Sequence, residues 1–128
     1  MSLDFLQGSC HCGAVQFSVC TALQPASSCN CSLCRRRGAL MSPPFPAQEL
    51  LITQGKAELA LYQFNTHVAK HYFCKHCGVY AFHQIRNNPL HWRVNIGCLH
   101  SVDPYALEAG VDEAEESASL SEQTEAAL

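Results

Sequence analysis

The sequence predicts a small, mainly β domain with at most one or two short helices. Apolar residues alternate along several short runs instead of following a helical period. Proline-bearing stretches separate those runs, and two glycine-closed cysteine turns lead directly into two of them.

Taken in chain order, Val15, Phe17 and Val19 share one face of a strand running from Ala14. Gly38–Met41 and Leu50–Thr53 are weaker strand candidates, and Ser42-Pro-Pro-Phe-Pro46 between them reads as a loop, since proline cannot donate to a ladder. Ala60, Tyr62 and Phe64 mark a second alternating strand. In a third, Tyr80 and Phe82 oppose Val79, Ala81 and Ile85. Asn87-Asn-Pro89 then turns the chain into a fourth strand, with Trp92, Val94 and Ile96 on its apolar face and His91, Arg93 and Asn95 on the other. A single helix of about two turns is expected after that. Asp103 would cap it, Pro104 would occupy its first position and Gly110 would end it. The strands are expected to pair antiparallel.

A chain of 128 residues reads as one domain. Its net charge is −3, but the charge is uneven. Residues 1–110 carry all eight Lys and Arg against five acids, a net of +3, while residues 111–128 carry six acids and no base. The expected organisation is therefore a folded domain over 1–110 and an acidic, disordered tail over 111–128. No apolar run is long enough for a transmembrane helix. The opening MSLDFLQGSC lacks the basic start and apolar stretch of a signal peptide. The expectation is a cytoplasmic protein with no membrane partner, whose nine cysteines serve metal or redox chemistry and not a disulfide framework.

Seven of those cysteines fall into three clusters: Cys10-His-Cys12, Cys29-Asn-Cys31-Ser-Leu-Cys34 and Cys74-Lys-His-Cys77. Cys20 and Cys98 stand apart and read as small hydrophobes. Thiolates are soft ligands suited to zinc, and a closed structural zinc takes four of them in a tetrahedron. Cys12-Gly13 and Cys77-Gly78 are turns whose backbone amides can point at sulfur and whose glycine permits the positive φ needed to leave the turn. Cys10, Cys12, Cys74 and Cys77 thus form the natural four-ligand set, stapling the N-terminal strand to the strand after residue 78. Cys29, Cys31 and Cys34 then offer three thiolates with one position open, as a catalytic zinc requires. Spacing leaves an alternative, in which His11, His76 or His83 closes a second structural site.

The segments GSCHCGAVQF, CNCSLCRRRGAL, YQFNTHVAKHYFCKHCG and VNIGCL occur in this order. Together they resemble the glutathione-dependent formaldehyde-activating enzyme (Gfa) family, or CENP-V/GFA domains, over roughly residues 8–110. The resemblance implies a zinc-stapled antiparallel β-tent, similar to the Mss-four-like proteins. It implies a structural zinc on Cys10, Cys12, Cys74 and Cys77 and a catalytic zinc on Cys29, Cys31 and Cys34. It also implies the activity of an S-(hydroxymethyl)glutathione synthase, a carbon–sulfur lyase by class, whose partners are a small thiol such as glutathione and an aldehyde such as formaldehyde. Two departures bear on substrate: Asn30 stands where the family often has His, and the chain is shorter than the glutathione-using members.

On this reading a thiol fills the open position and is held as thiolate, ready to add to a carbonyl carbon. Three thiolates on a divalent zinc leave a net negative site, which makes the zinc a thiol holder more than a carbonyl polariser. The run Arg35–Arg37 could bind substrate carboxylates or neutralise the thiolate-rich site, with Arg35 and Arg36 the candidates for substrate, and Arg93 and Asn95 are candidates for a pocket wall. Asn65, Thr66, His67 and His71 lie between a strand and the Cys74 turn, with His67 the candidate for proton transfer. A non-catalytic zinc module that binds a protein or small ligand is the alternative. Nucleic-acid binding is disfavoured, because no aromatic residues interleave the basic run.

Overall fold

A computed structural model describes residues 4–29, 31–64 and 67–112. The fold is mainly β, as expected. The strands are β1 (Asp4–Ser9), β2 (Gln16–Thr21), β3 (Ala26–Cys29), β4 (Phe45–Pro46), β5 (Leu50–Gln54), β6 (Leu59–Tyr62), β7 (Lys70–Cys74), β8 (Tyr80–Gln84), β9 (His91–Val94) and β10 (Ala109–Asp112). One short helix, α1 (Ser32–Arg37), follows β3. An antiparallel sheet in the order β1-β2-β5 and another in the order β4-β9-β8-β7-β6 supply most of the pairing, and β10 pairs with β3.

Burial explains why the sheets meet. Phe17 and Val19 of β2 are fully buried, as are Ala81 and Phe82 of β8 and Val94 of β9. Phe17 and Phe82 meet edge to face, with ring centroids 5.4 Å apart and planes at 88°, a geometry worth about 0.5–1.5 kcal/mol beyond the area it buries. A smaller cluster of Cys10, Val15 and Cys74 lies beside this core.

The structure corrects several local expectations. Gly38–Met41 is not a strand; Met41 only bridges Ser27 and Asn95. The proline stretch is not wholly loop, because Phe45 and Pro46 pair with Trp92 and His91. That strand lies at a sheet edge, where a missing N–H is tolerated. Phe64 lies beyond the end of β6, stacked on Tyr62 with centroids 5.8 Å apart. The expected helix after Asp103 is a 3-10 turn over Pro104–Ala106, capped as foreseen by Asp103, which accepts from Tyr105 N at 3.0 Å. It stops early because the chain re-extends into β10, where Gly110 sits opposite Ser27 in a parallel ladder, contrary to the all-antiparallel expectation. β10 also crosses the boundary expected at residue 110, while the acidic tail from 113 onward lies outside the described residues.

Candidate metal centres and the adjoining cleft

Cys10 follows β1, Cys74 ends β7, and Cys12 and Cys77 sit in the turns that lead to β2 and β8. The two turns are alike. Cys10 N donates to Val15 O at 3.1 Å and Gly13 N to Cys10 O at 3.3 Å; Cys74 N donates to Val79 O at 3.0 Å and Gly78 N to Cys74 O at 2.8 Å. Gly13 and Gly78 have φ of 83° and 77°, a left-handed backbone that glycine adopts without a Cβ penalty. Amides aim at sulfur as expected, from Val15 N to Cys10 at 3.4 Å and from His76 N to Cys74 at 3.3 Å. Hydrogen bonds from the backbone of Cys12 and Val79 draw the Cys77 thiol down to about 6.

All four sulfurs lie within 4.8 Å of one another. Cys12 is 3.7 Å from both Cys10 and Cys74. A tetrahedron with zinc–sulfur bonds of about 2.3 Å has sulfurs about 3.8 Å apart. The thiols therefore sit at metal-ligand spacing, and every cysteine in the chain is free of disulfides.

Cys29, Cys31 and Cys34 form a second group with sulfurs mutually within 4.8 Å. Helix α1 makes the group. Cys31 is its N-cap, with its sulfur accepting from Cys34 N at 3.3 Å, and Gly38 closes it in left-handed backbone at φ 65°. Cys31 N in turn donates to the Cys29 sulfur at 3.5 Å. Hydrogen bonds from the Cys29 and Cys34 thiols hold Cys31 far below the usual thiol range, and bonds with Cys29 first and then Cys31 push Cys34 up. Among the described residues no imidazole joins this group within 4.8 Å. His11 is exposed in the first turn, His76 pairs with Glu58, and His83 bonds Tyr80 instead.

What faces this group is set by a β-bulge. Phe73 pairs with Tyr80 but Tyr72 pairs with Phe82, so β8 has one residue more than β7 across that step. The bulge overturns the expected alternation and turns Tyr80 to the side of His83, leaving Phe82 in the core. His71 and His83 are direct cross-strand partners, and His83 pairs with Arg93. The Tyr80 hydroxyl lies 3.3 Å from His71 Nδ1 and also bonds His83 Nδ1. Burial first, then the Arg37 charge, lowers His71 to about 4. Burial first, then the charges of His71, Arg93 and Arg37, lowers His83 to about 3. Burial, then the nearby Cys34 charge, raises Tyr80.

The residues singled out from sequence are distributed unevenly around this face. Arg93 is half-buried on it, with Nη1 donating to Ser27 Oγ at 3.5 Å. Asn95 donates to Tyr80 O at 2.8 Å and accepts from Gly97 N at 3.1 Å, so it braces the strand that carries Tyr80. Arg35 and Arg36 are exposed, and Arg36 spends its Nη1 on Ser32 O at 2.8 Å in its own helix. His67 is exposed in the loop after β6, at φ 61°. Asn30, Asn65 and Thr66 lie outside the described residues. Arg37 is the arginine that turns inward, with Cζ 3.9 Å from the centre of the Tyr80 ring. It lines a cleft of about 830 Å³ together with Leu40, Phe73, Tyr80, Asn95 and Tyr105. Sequence reasoning missed Tyr80 as a site residue and did not single out Arg37 within the run Arg35–Arg37, which it offered as a whole for substrate carboxylates. The bulge hid the first, and spacing along a short helix, Cys34 to Arg37 at i to i+3, was the available signal for the second.

Comparison with known proteins places the chain. A family profile described as glutathione-dependent formaldehyde-activating enzyme matches residues 5–113. A Halomonas elongata protein, named provisionally as a glutathione-dependent formaldehyde-activating enzyme, is 32% identical over 80 residues, which is 56% of this chain and 51% of that protein. The chain thus spans about half the length of this curated relative. A crystal structure of a Rhodobacter sphaeroides protein from a structural genomics programme superposes with a TM-score of 0.80 at 42% identity, covering 83% of this chain and 99% of that one.

Proposed function

The chain belongs to the glutathione-dependent formaldehyde-activating enzyme family, and from that premise we propose that it is a zinc-dependent carbon–sulfur lyase or synthase acting on a thiol–aldehyde adduct. In this reading Cys10, Cys12, Cys74 and Cys77 hold a structural zinc, and Cys29, Cys31 and Cys34 hold a catalytic one. The thiol is a small one such as glutathione and the aldehyde one such as formaldehyde, as in the named activity of the family. One observation carries the reading: three thiols at ligand spacing have no fourth protein ligand within reach among the described residues, beside a buried polar row.

Zinc bound there would supply a cation that lowers the pKa of an incoming thiol and holds it as thiolate. The rest falls to the chain's own groups. In the synthetic direction the sulfur lone pair forms the carbon–sulfur bond and the carbonyl π pair moves to oxygen. The proton lost by the thiol ends on that oxygen, giving a hydroxymethyl thioether; lysis is the reverse. The oxygen carries negative charge on the way, and a preorganised donor or cation stabilises it. Arg93 lies on the face that bears His71 and His83 and supplies that charge. His71 and Tyr80 are buried and hydrogen-bonded, and they suit proton holding better than exposed His67.

The test is zinc stoichiometry together with turnover. Full-length protein purified without chelator should hold two zincs and consume formaldehyde in the presence of thiol. Cys31→Ala should hold one zinc, stay folded and lose turnover. One zinc in active wild type, or full turnover by Cys31→Ala, would overturn the assignment.

A further inference from the structure

The cleft beside the three-thiol group carries an inference that rests on the function proposed above and narrows its substrate. We infer that the cleft receives a small organic acid with an apolar body and one carboxylate, and that Arg37 binds that carboxylate. At about 830 Å³ the cleft is of small-molecule size. Its walls are mostly apolar, and Arg37 is the single charged residue among those that line it. Arg37 has no carboxylate partner among the described residues, and its Nη1 is buried without a hydrogen-bond acceptor. The guanidinium carbon lies 3.9 Å from the centre of the Tyr80 ring, a cation–π contact that holds the group in place and offers no anion.

A planar guanidinium on an apolar wall recognises carboxylate by paired, charge-assisted hydrogen bonds. The charge count also speaks to class. Glutathione brings two carboxylates and an ammonium. The cleft offers one cation, so one of those carboxylates would be matched and the other would be left without a partner. A monoacid leaves nothing unmatched. Arg37 follows Cys34 by one helical turn, so an acid anchored on it extends from the helix that carries the thiol group.

The test uses a probe without a thiol, so that it reads the cleft and not the chemistry. Zinc-loaded full-length protein is titrated with 3-phenylpropionate and with 3-phenylpropionamide, followed by backbone amide shifts. The acid should bind, with shifts centred on Arg37, Asn95 and Gly97, and the amide should bind about tenfold or more weakly. Arg37→Gln should bind acid and amide equally weakly, and Arg37→Lys should recover part of the preference. Acid and amide binding wild type alike, no binding of the acid, or an undiminished acid preference in Arg37→Gln would each overturn the inference. The wild-type comparison decides the matter even where a variant fails to fold. Thiol–formaldehyde turnover is measured separately, so a protein that prefers the acid but turns over no thiol would sink the lyase reading alone.

Discussion

A tyrosine hydroxyl carries one proton, yet at Tyr80 it faces the Nδ1 atoms of both His71 and His83. One imidazole therefore accepts from Tyr80 while the other donates to it, and both are held neutral. Neutrality is also what burial dictates, since His71 is lowered to about 4 and His83 to about 3. The consequence for stability has a definite sign. Unfolded histidine takes up its proton near pH 6.5. Above that value neither state is protonated and the network contributes fully. Below it the unfolded chain binds protons that the folded one refuses, so stability falls as pH drops from about 6.5 toward 4 and then 3. The loss is on the order of a few kcal/mol. Urea midpoints measured at pH 7 and pH 5 should show it. His83→Gln, which cannot be protonated, should show a shallower decline, and a variant as acid-sensitive as wild type would contradict this account.

Among the elements, the alternating runs were legible wherever alternation survived. β2 and β9 place Phe17, Val19 and Val94 in the core as the sequence indicates, although Ser18 on the other face of β2 is buried too. The reading failed at β8, where all of Tyr80, Ala81, Phe82 and His83 are buried and a bulge shifts the phase. It failed again at α1, whose six residues Ser-Leu-Cys-Arg-Arg-Arg show no apolar period, and which is set by a cysteine cap and a glycine stop. Turn glycines were more legible, and they differ in what they tolerate. At Gly78 an added Cβ would meet nothing within 4 Å, so Gly78→Ala carries only the left-handed backbone cost of about 1–2 kcal/mol. At Gly55, with φ of 81°, the same atom would lie 1.9 Å from the Ala14 carbonyl oxygen. Backbone there cannot yield without displacing the chain that leaves the Cys12 turn. Gly55→Ala should therefore cost more than Gly78→Ala, by at least about 1 kcal/mol, in denaturant unfolding. Equal costs would show that the Ala14 segment moves freely.

For the whole molecule the question is what keeps so many short strands together. β1 and β7 belong to different sheets, and their ends meet at the four-thiol group. Cys12 and Cys74 are 62 positions apart in sequence and 3.7 Å apart in space. A permanent cross-link closing a loop of that length would stabilise by about 4 kcal/mol through the unfolded state. A structural metal can contribute more, because its binding energy becomes folding energy. This long-range link was the most legible feature of the fold, since paired cysteines closed by glycine announce their own geometry. The parallel contact of β10 with β3 was not legible, because no local pattern in Ala109–Asp112 specifies a partner or a direction. The asymmetry makes the last prediction. Cys74 is fully buried at the junction, so Cys74→Ala removes one thiol of the proposed zinc staple and leaves a void in the small cluster with Val15. That variant should lose cooperative thermal unfolding. Cys31→Ala, which alters only the cap of α1 and the three-thiol group, should keep it. A strong chelator added to wild type should reproduce the Cys74→Ala behaviour by circular dichroism. A Cys74→Ala protein that still melts cooperatively within a few degrees of wild type would mean that the two sheets hold each other without the metal.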